Sequence, residues 1–140
     1  MLTMEQLQSI KDKVKEVTGI YAWFNDKSES TNVIKFDLKY KGLSWLNPMR
    51  KGILKFDLIL CGYGVGDAFN LNIANTEIEI SKAFQIVSGS DQMIHDINTK
   101  DSIELIWNDD DALVESETTT AGIKYSYKRY FKLNYTFKNS

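Results

Sequence analysis

Residues 123–137 read IKYSYKRYFKLNYTF, and this stretch decides the fold class. Apolar and aromatic side chains occupy nearly every odd position from Ile123 to Phe137, and Arg129 is the exception. Lysines and other polar side chains occupy the even positions. This alternation predicts a strand with one buried face and one solvated face. At ~3.3 Å per residue the strand would span roughly 50 Å, so it must pair with several other strands or project beyond its domain.

Two earlier stretches show the same alternation and predict a pair of neighbouring strands. Apolar side chains alternate with charged ones in residues 34–40, and in residues 53–61 Leu54, Phe56, Leu58 and Leu60 again fall on one face. We expect these two strands to form a hairpin joined by a long connection, residues 41–52. Shorter strands are predicted at residues 20–24 and 103–107, where β-branched and aromatic side chains cluster.

Two helices are predicted from capping residues and from apolar side chains at helical spacing. Thr3 and Gln6 form a capping box at the start of the first helix, and Gly19 is its stop. The second helix is predicted over residues 76–87, with a strand over residues 77–81 as the competing interpretation. The apolar stripes are Leu7, Ile10, Val14 and Val17 in the first helix, and Ile80, Ala83, Phe84 and Val87 in the second.

Together these elements predict an α+β fold with the order α-β-β-β-α-β-β. An N-terminal amphipathic helix and one further helix would pack on a mainly antiparallel sheet. Residues 62–75, 88–100 and 108–122 are predicted to be loops or irregular. A length of 140 residues with 43% hydrophobic residues fits a single domain, residues 1–140.

Net charge and hydropathy narrow the class of protein. The net charge of −2 gives no bulk positive field that would attract nucleic acid or a membrane. No apolar run approaches the roughly 20 residues of a membrane span, and the first residues lack the apolar core of a signal peptide. The single Cys61 excludes an internal disulfide. The protein is therefore expected inside the cell, without a membrane partner.

The residues that could carry chemistry lack the partners that chemistry requires. The only histidine, His95, has no nucleophile arrangement or metal-ligand spacing near it, and Cys61 has no visible basic neighbour. Residues 62–66 lack the full glycine spacing of a phosphate-binding loop. The acidic cluster at residues 109–111, with Glu115 and Glu117 beyond it, fits no EF-hand. The sequence thus predicts no enzyme, no cofactor and no metal site.

Two groups of residues remain as candidates for contacts with other proteins. The first group lies in the predicted connection after residue 40, where apolar side chains could cap the core or form an interface, and both interpretations stay open. The second group is acidic and would either be ordinary solvated loop or make an electrostatic contact with a partner. The candidate interface residues are Trp45, Leu46, Met49 and Arg50 in the first group, and Asp109, Asp110 and Asp111 in the second.

The order of elements resembles the tail terminator, or tail completion, family of long-tailed bacteriophages of the lambda-like type. These small proteins begin with an amphipathic helix, here residues 3–18, followed by a short strand and a β-hairpin, here residues 20–24 and 33–61. A helix then packs on the sheet, here residues 76–87. The stretch from 103 to 137, with its Asp109-Asp110-Asp111-Ala112-Leu113 loop, resembles the family's closing pair of strands.

The resemblance implies a mechanical function. Such proteins form a ring, typically hexameric, that caps the tail tube, stops its polymerisation and joins the tail to the head connector. It implies three protein partners: further copies of the chain, the tail tube protein and the head-tail connector protein. DNA would pass through the ring without specific binding, and the protein would belong to the virion tail after assembly in the host cytoplasm.

The resemblance also suggests roles for the candidate interface residues. The first group would contact a neighbouring subunit or the tube, and Asp109, Asp110 and Asp111 would face the axial channel or the next ring. Three other classes of protein remain open. One is a small acidic intracellular binding protein of the immunity type, which neutralises a toxin. Another is a different phage component, a tail-tube or head-tail connector subunit. The third is a hydrolase that uses the acidic loop, which metal binding would favour.

Overall fold

The structure is a computed structural model that describes residues 3–24, 33–46, 50–83, 92–98, 100–107 and 112–138. It confirms the α+β class. The elements in chain order are helix α1 (Met4–Thr18), strands β1 (Ala22–Phe24), β2 (Ile34–Leu46) and β3 (Lys51–Val65), helix α2 (Asp67–Ala83), and strands β4 (Gln92–Asp96), β5 (Ser102–Ile106), β6 (Ala112–Thr119) and β7 (Gly122–Lys138).

All the described strands belong to one sheet, built around the two longest, β3 and β7. The strand order is β1-β2-β3-β7-β5-β4, and β6 also pairs with β7. Strand β3 follows one edge of β7 along most of its length. The other edge of β7 is shared, because β6 pairs with its first half and β5 with its second half. All pairs are antiparallel except β1 with β2, which are parallel.

Helix α1 begins and ends as its sequence predicts. The Gln6 amide donates to Thr3 Oγ1 at 3.2 Å, and the Thr3 amide donates to Gln6 Oε1 at 2.8 Å, which completes the capping box. Gly19 adopts a left-handed backbone with φ of 79°, and its amide donates to the Lys15 carbonyl at 2.8 Å. These caps satisfy backbone groups at both ends of the helix.

The core lies between the two helices and one face of the sheet, which we call the helix face. Helix α1 contributes Ile10 and Val14, and α2 contributes Phe69, Ile73 and Ile80. The odd residues of β7 fill the same core, as the alternation predicts. Those buried on the helix face are Tyr127, Arg129, Phe131, Leu133 and Tyr135. No described helix is long and apolar enough to cross a membrane.

The prediction of a long connection over residues 41–52 is wrong, because most of it is strand. Strand β2 continues to Leu46 and β3 begins at Lys51. The register between the two strands shifts between Tyr40 and Gly42, which inserts Lys41 as a bulge. The bulge moves the apolar side chains from even to odd positions, so the simple alternation stops at Tyr40 while the strand does not.

The second helix begins nine residues earlier than predicted, at Asp67, so the predicted loop over residues 62–75 is wrong. Residues 62–65 end strand β3, and Thr76 lies inside the helix, where its hydroxyl contacts Asn72 Oδ1 at 3.4 Å. The buried side chains of α2 are Phe69, Ile73 and Ile80. The predicted stripe residues Phe84 and Val87 lie outside the described residues.

Two stretches that were predicted to be irregular also contain strands. Residues 92–96 form β4, so the prediction of a loop around His95 is wrong, and β4 pairs with β5. Residues 112–119 form β6, which pairs with β7 across a tight turn at residues 120–121. The order is therefore α-β-β-β-α-β-β-β-β, with two strands more than predicted.

Candidate interaction surface

Three of the candidate interface residues lie together at the β2–β3 hairpin end. Trp45 and Leu46 are the last residues of β2, and both are exposed. They point to opposite faces, since alternate residues of a strand do so. Arg50 is exposed in the turn immediately before β3. Met49, Asp109, Asp110 and Asp111 lie outside the described residues.

The bulge at Lys41 gives this end of β2 an apolar surface. After the register shift Leu43 pairs with Leu54 and Trp45 pairs with Gly52, which places both on the helix face with Tyr40. The Trp45 ring meets the Phe137 ring at 5.6 Å in a T-shaped contact. Gly52 has no side chain beneath these rings, and a Cβ there would overlap Phe137.

These apolar side chains are open to solvent although they sit on regular strands. Tyr40, Leu43, Trp45 and Leu46 are each between 41% and 56% exposed. Exposed apolar side chains that are contiguous mark contact sites for other proteins, and tyrosine and tryptophan are enriched there. We call the three that share the helix face, Tyr40, Leu43 and Trp45, the hairpin patch. Because a strand holds them in place, little side-chain and backbone freedom is lost when a partner binds.

The opposite face of the sheet, which we call the open face, carries a concentration of lysines that the net charge does not reveal. Strands β2, β3 and β7 place nine lysines there against only two carboxylates, Asp37 and Asp57. Lys41 Nζ lies 3.4 Å from Asp57 Oδ2. The nine are Lys35, Lys39, Lys41, Lys51, Lys55, Lys124, Lys128, Lys132 and Lys138.

The acidic counterpart lies at one side of the same sheet, on β6. Glu115 and Glu117 are exposed there and pair in register with Ser126 and Lys124 of β7. Lys124 Nζ in turn lies 4.5 Å from the centre of the Tyr63 ring. The open face is therefore basic along its middle and acidic along the β6 edge, a separation of charge that suits an oriented contact.

Arg129 interrupts the apolar alternation of β7 because it pairs with Glu77 of α2. Its guanidinium is buried on the helix face, 3.3 Å from Glu77 Oε2 and 4.3 Å from the centre of the Trp107 ring. Tyr127 donates its hydroxyl to Glu77 Oε1 at 2.6 Å. Burial, and then the Glu77 carboxylate, raise the pKa of Tyr127. The group ties α2 to the sheet, which is a structural role.

A second buried network joins α1 to the β4–β5 connection. Asp101 Oδ2 accepts from the Tyr135 hydroxyl, from Asn98 Nδ2 at 3.1 Å and from Gln6 Nε2 at 3.5 Å. Burial, and then the hydrogen bond to Asp101, raise the pKa of Tyr135. A polar cleft of about 260 Å³ adjoins this network, lined by lysine, aspartate and hydroxyl side chains that include Lys51, Lys138 and Asp101.

Cys61 lies on the open face, paired in register with Lys35 and Lys128, so it has basic neighbours that the sequence did not reveal. Burial, and then Asp37, nevertheless raise its pKa above 9.0, while the lysines act in the opposite direction. The described residues hold no group of three His, Cys, Asp or Glu side chains that could bind a metal ion.

The thiol of Cys61 should react slowly with iodoacetamide, because a raised pKa leaves less thiolate at neutral pH. At pH 8 the folded chain should be alkylated more slowly than the same chain unfolded in urea. The pH midpoint of the rate should lie higher for the folded chain than for the unfolded chain. Equal rates for folded and unfolded chain, measured by mass spectrometry, would show that burial does not protect the thiol.

A scan against protein-family models finds no match to the chain. A search of curated proteins finds no match either. The surface itself therefore carries the functional argument.

Proposed function

We propose that the chain is a tail terminator subunit of a long-tailed bacteriophage, which assembles into a closed ring of about six copies. The ring would cap the tail tube, stop its polymerisation and join the tail to the head connector. In this proposal the protein acts as a structural part of the virion tail, assembled in the host cytoplasm, and not as an enzyme. The observation that carries the proposal is the hairpin patch on β2.

The hairpin patch supports a contact between proteins because of where it lies. Its three residues are exposed on one face of the second half of β2, beside the buried core, and they combine two aromatic rings with a leucine. A ring needs side-to-side contacts between different surfaces of neighbouring copies, which close by rotation. A rigid apolar surface on one side of the subunit is suited to such a contact.

The distribution of charge supports a defined orientation in the ring. A channel that passes DNA without binding it requires a neutral or acidic lining, since phosphates are attracted to lysines. The lysines of the open face would then point away from the channel, and Asp109, Asp110 and Asp111 would face the channel or the next ring. In this arrangement the tube protein and the connector would contact the two ends of the ring.

Replacing Leu43 with Lys should weaken self-association about tenfold or more, because it places a charge in the apolar contact. Leu43 makes a good test position, since it is 44% exposed and lies outside the buried core, so the change should not prevent folding. The dissociation constant is measured by sedimentation velocity over a range of concentrations.

The matched control is Leu71→Lys, which makes the same change at a 64% exposed leucine on α2. Its dissociation constant should equal that of the wild type. If Leu71→Lys weakens association and Leu43→Lys does not, the contact lies on α2 and the hairpin patch has no part in it.

A further inference from the structure

We infer that strand β6 of one copy pairs antiparallel with the second half of β2 in the next copy, so that the sheet continues from subunit to subunit. The inference rests on the proposed self-assembly and names the contact that would produce it. It draws on two strand edges, on the charges beside them and on the direction of the strands.

Both edges are open over the same length in the described part of the chain. Strand β6 pairs only with β7, and its eight residues leave their other edge without a strand. Strand β1 covers β2 only at Phe36, Asp37 and Leu38, which leaves residues 39–46, also eight residues, without one. Unpaired strand edges are templates for pairing with another chain.

The side chains beside the two edges are complementary on both faces of the sheet. On the open face β6 presents Glu115 and Glu117, while β2 presents Lys39 together with the bulge residue Lys41. On the helix face β6 presents Val114, which is 53% exposed. The β2 residues on that face are Tyr40 and Leu43 of the hairpin patch, so an apolar side chain meets apolar side chains.

Strand direction makes the pairing antiparallel. Strand β2 is antiparallel to β3, β3 to β7, and β7 to β6, so β2 and β6 run in opposite directions within one copy. Two copies in the same orientation, with one shifted along the strands by roughly 30 Å so that residues 39–46 lie level with β6, therefore bring β6 of one against β2 of the next in the antiparallel sense. The helix face of one copy then continues into the helix face of the next.

A two-fold symmetric dimer is disfavoured by the same charges. Rotation about an axis perpendicular to the sheet would pair β6 with β6, and would bring Glu115 and Glu117 together with their own copies. Pairing β2 with β2 would likewise bring Lys39 and Lys41 together with their own copies. Like charges on adjacent strands are destabilising, so the charges favour a head-to-tail contact, which generates rings when the rotation closes.

The bulge in β2 limits which strands can pair with its edge. Bulges and lysines on an edge strand prevent indiscriminate pairing. An acidic strand is the partner that Lys39 and Lys41 would accept, while basic or neutral strands are rejected.

Two charge-reversed variants test the inference: Glu115→Lys with Glu117→Lys, and Lys39→Glu with Lys41→Glu. Each variant alone puts like charges on both edges and should raise the dissociation constant for self-association about tenfold or more. An equimolar mixture should assemble again with near wild-type affinity, because each variant then finds the opposite charge on the other. Masses are measured by light scattering, and native mass spectrometry should show assemblies that contain both variants.

The control is Lys55→Glu with Lys132→Glu, which makes the same change in net charge as Lys39→Glu with Lys41→Glu, but on the inner strands β3 and β7, and should leave assembly unchanged. Circular dichroism establishes that every variant is folded. If the wild type assembles but the mixture of the two variants does not regain the affinity of the wild type, the edge pairing is wrong while the ring proposal stands. If the wild type stays monomeric at millimolar concentration, both are wrong.

Discussion

Glu77→Ala should lower the free energy of unfolding by about 3 kcal/mol. The substitution removes the carboxylate that lies 3.3 Å from the buried Arg129 guanidinium and accepts the Tyr127 hydroxyl. Removing one partner of a buried ion pair typically costs about 3–5 kcal/mol, because the other charge stays buried without its counterpart. The lower end of the range applies since the Glu77 side chain keeps 27% exposure. Urea unfolding followed by circular dichroism measures the change.

Glu79→Ala is the matched control for this prediction, since it removes the same kind of side chain two residues away. Glu79 is exposed and pairs with Lys82 on the same helix at 3.2 Å. Exposed pairs of this spacing contribute about 0.5 kcal/mol or less. If both variants lose the same small amount, the ion pair beneath α2 is not what holds the helix to the sheet.

Phe131→Ala should cost about 3–5 kcal/mol of unfolding free energy, the range for truncating a buried aromatic side chain. Phe131 is 1% exposed at the centre of the helix face, with its ring 6.1 Å from that of Phe36 and 5.0 Å from that of Trp107. Truncation would remove both ring contacts and leave a cavity in a closely packed core.

Lys132→Ala is the control for Phe131, because it changes the adjacent residue on the open face. Lys132 is exposed, and its loss should change the free energy of unfolding by about 0.5 kcal/mol or less. Comparable losses for the two variants would mean that the core does not lie on the helix face of β7.

The parts of the fold that could be predicted from sequence are those where one pattern runs without interruption. Strand β7 keeps its alternation over its whole buried length, and α1 has a capping box, an apolar stripe and a glycine stop. In β2 the bulge at Lys41 reverses the alternation, so the pattern identifies only the first part of the strand. With one extra residue allowed at Lys41, the alternation continues to Leu46.

Other elements are difficult to predict from the sequence, because few of their side chains are buried and a hydrophobic pattern arises only where one face is buried. Nearly all residues of β6 are exposed, so no face of it is selected to be apolar, and its acidic and threonine residues resemble those of a loop. Helix α2 begins among asparagines, which are weak helix formers, and is held by the three buried residues Phe69, Ile73 and Ile80. Tertiary packing decides both elements.

The candidate surface was partly visible in the sequence. Trp45, Leu46 and Arg50 stood out as a group of interface-type residues, and the structure places all three at the hairpin end. Their partners Tyr40 and Leu43 were missed, since the bulge that brings them to the same face leaves no simple signal. The lysine-rich outer face of β7 was visible in the sequence, but the full extent of the basic open face was not, because a net charge of −2 averages nine lysines there with carboxylates elsewhere.

The most direct test of the central proposal is the mass of the chain in solution, measured by light scattering from micromolar to millimolar concentration. A closed ring of six predicts a plateau near 97 kDa, six times the chain mass of 16.1 kDa, that does not grow with further protein. A mass that stays at 16.1 kDa throughout would contradict the ring. A mass that rises without limit would also contradict it, and would indicate a subunit that polymerises open-endedly, as a tail tube does.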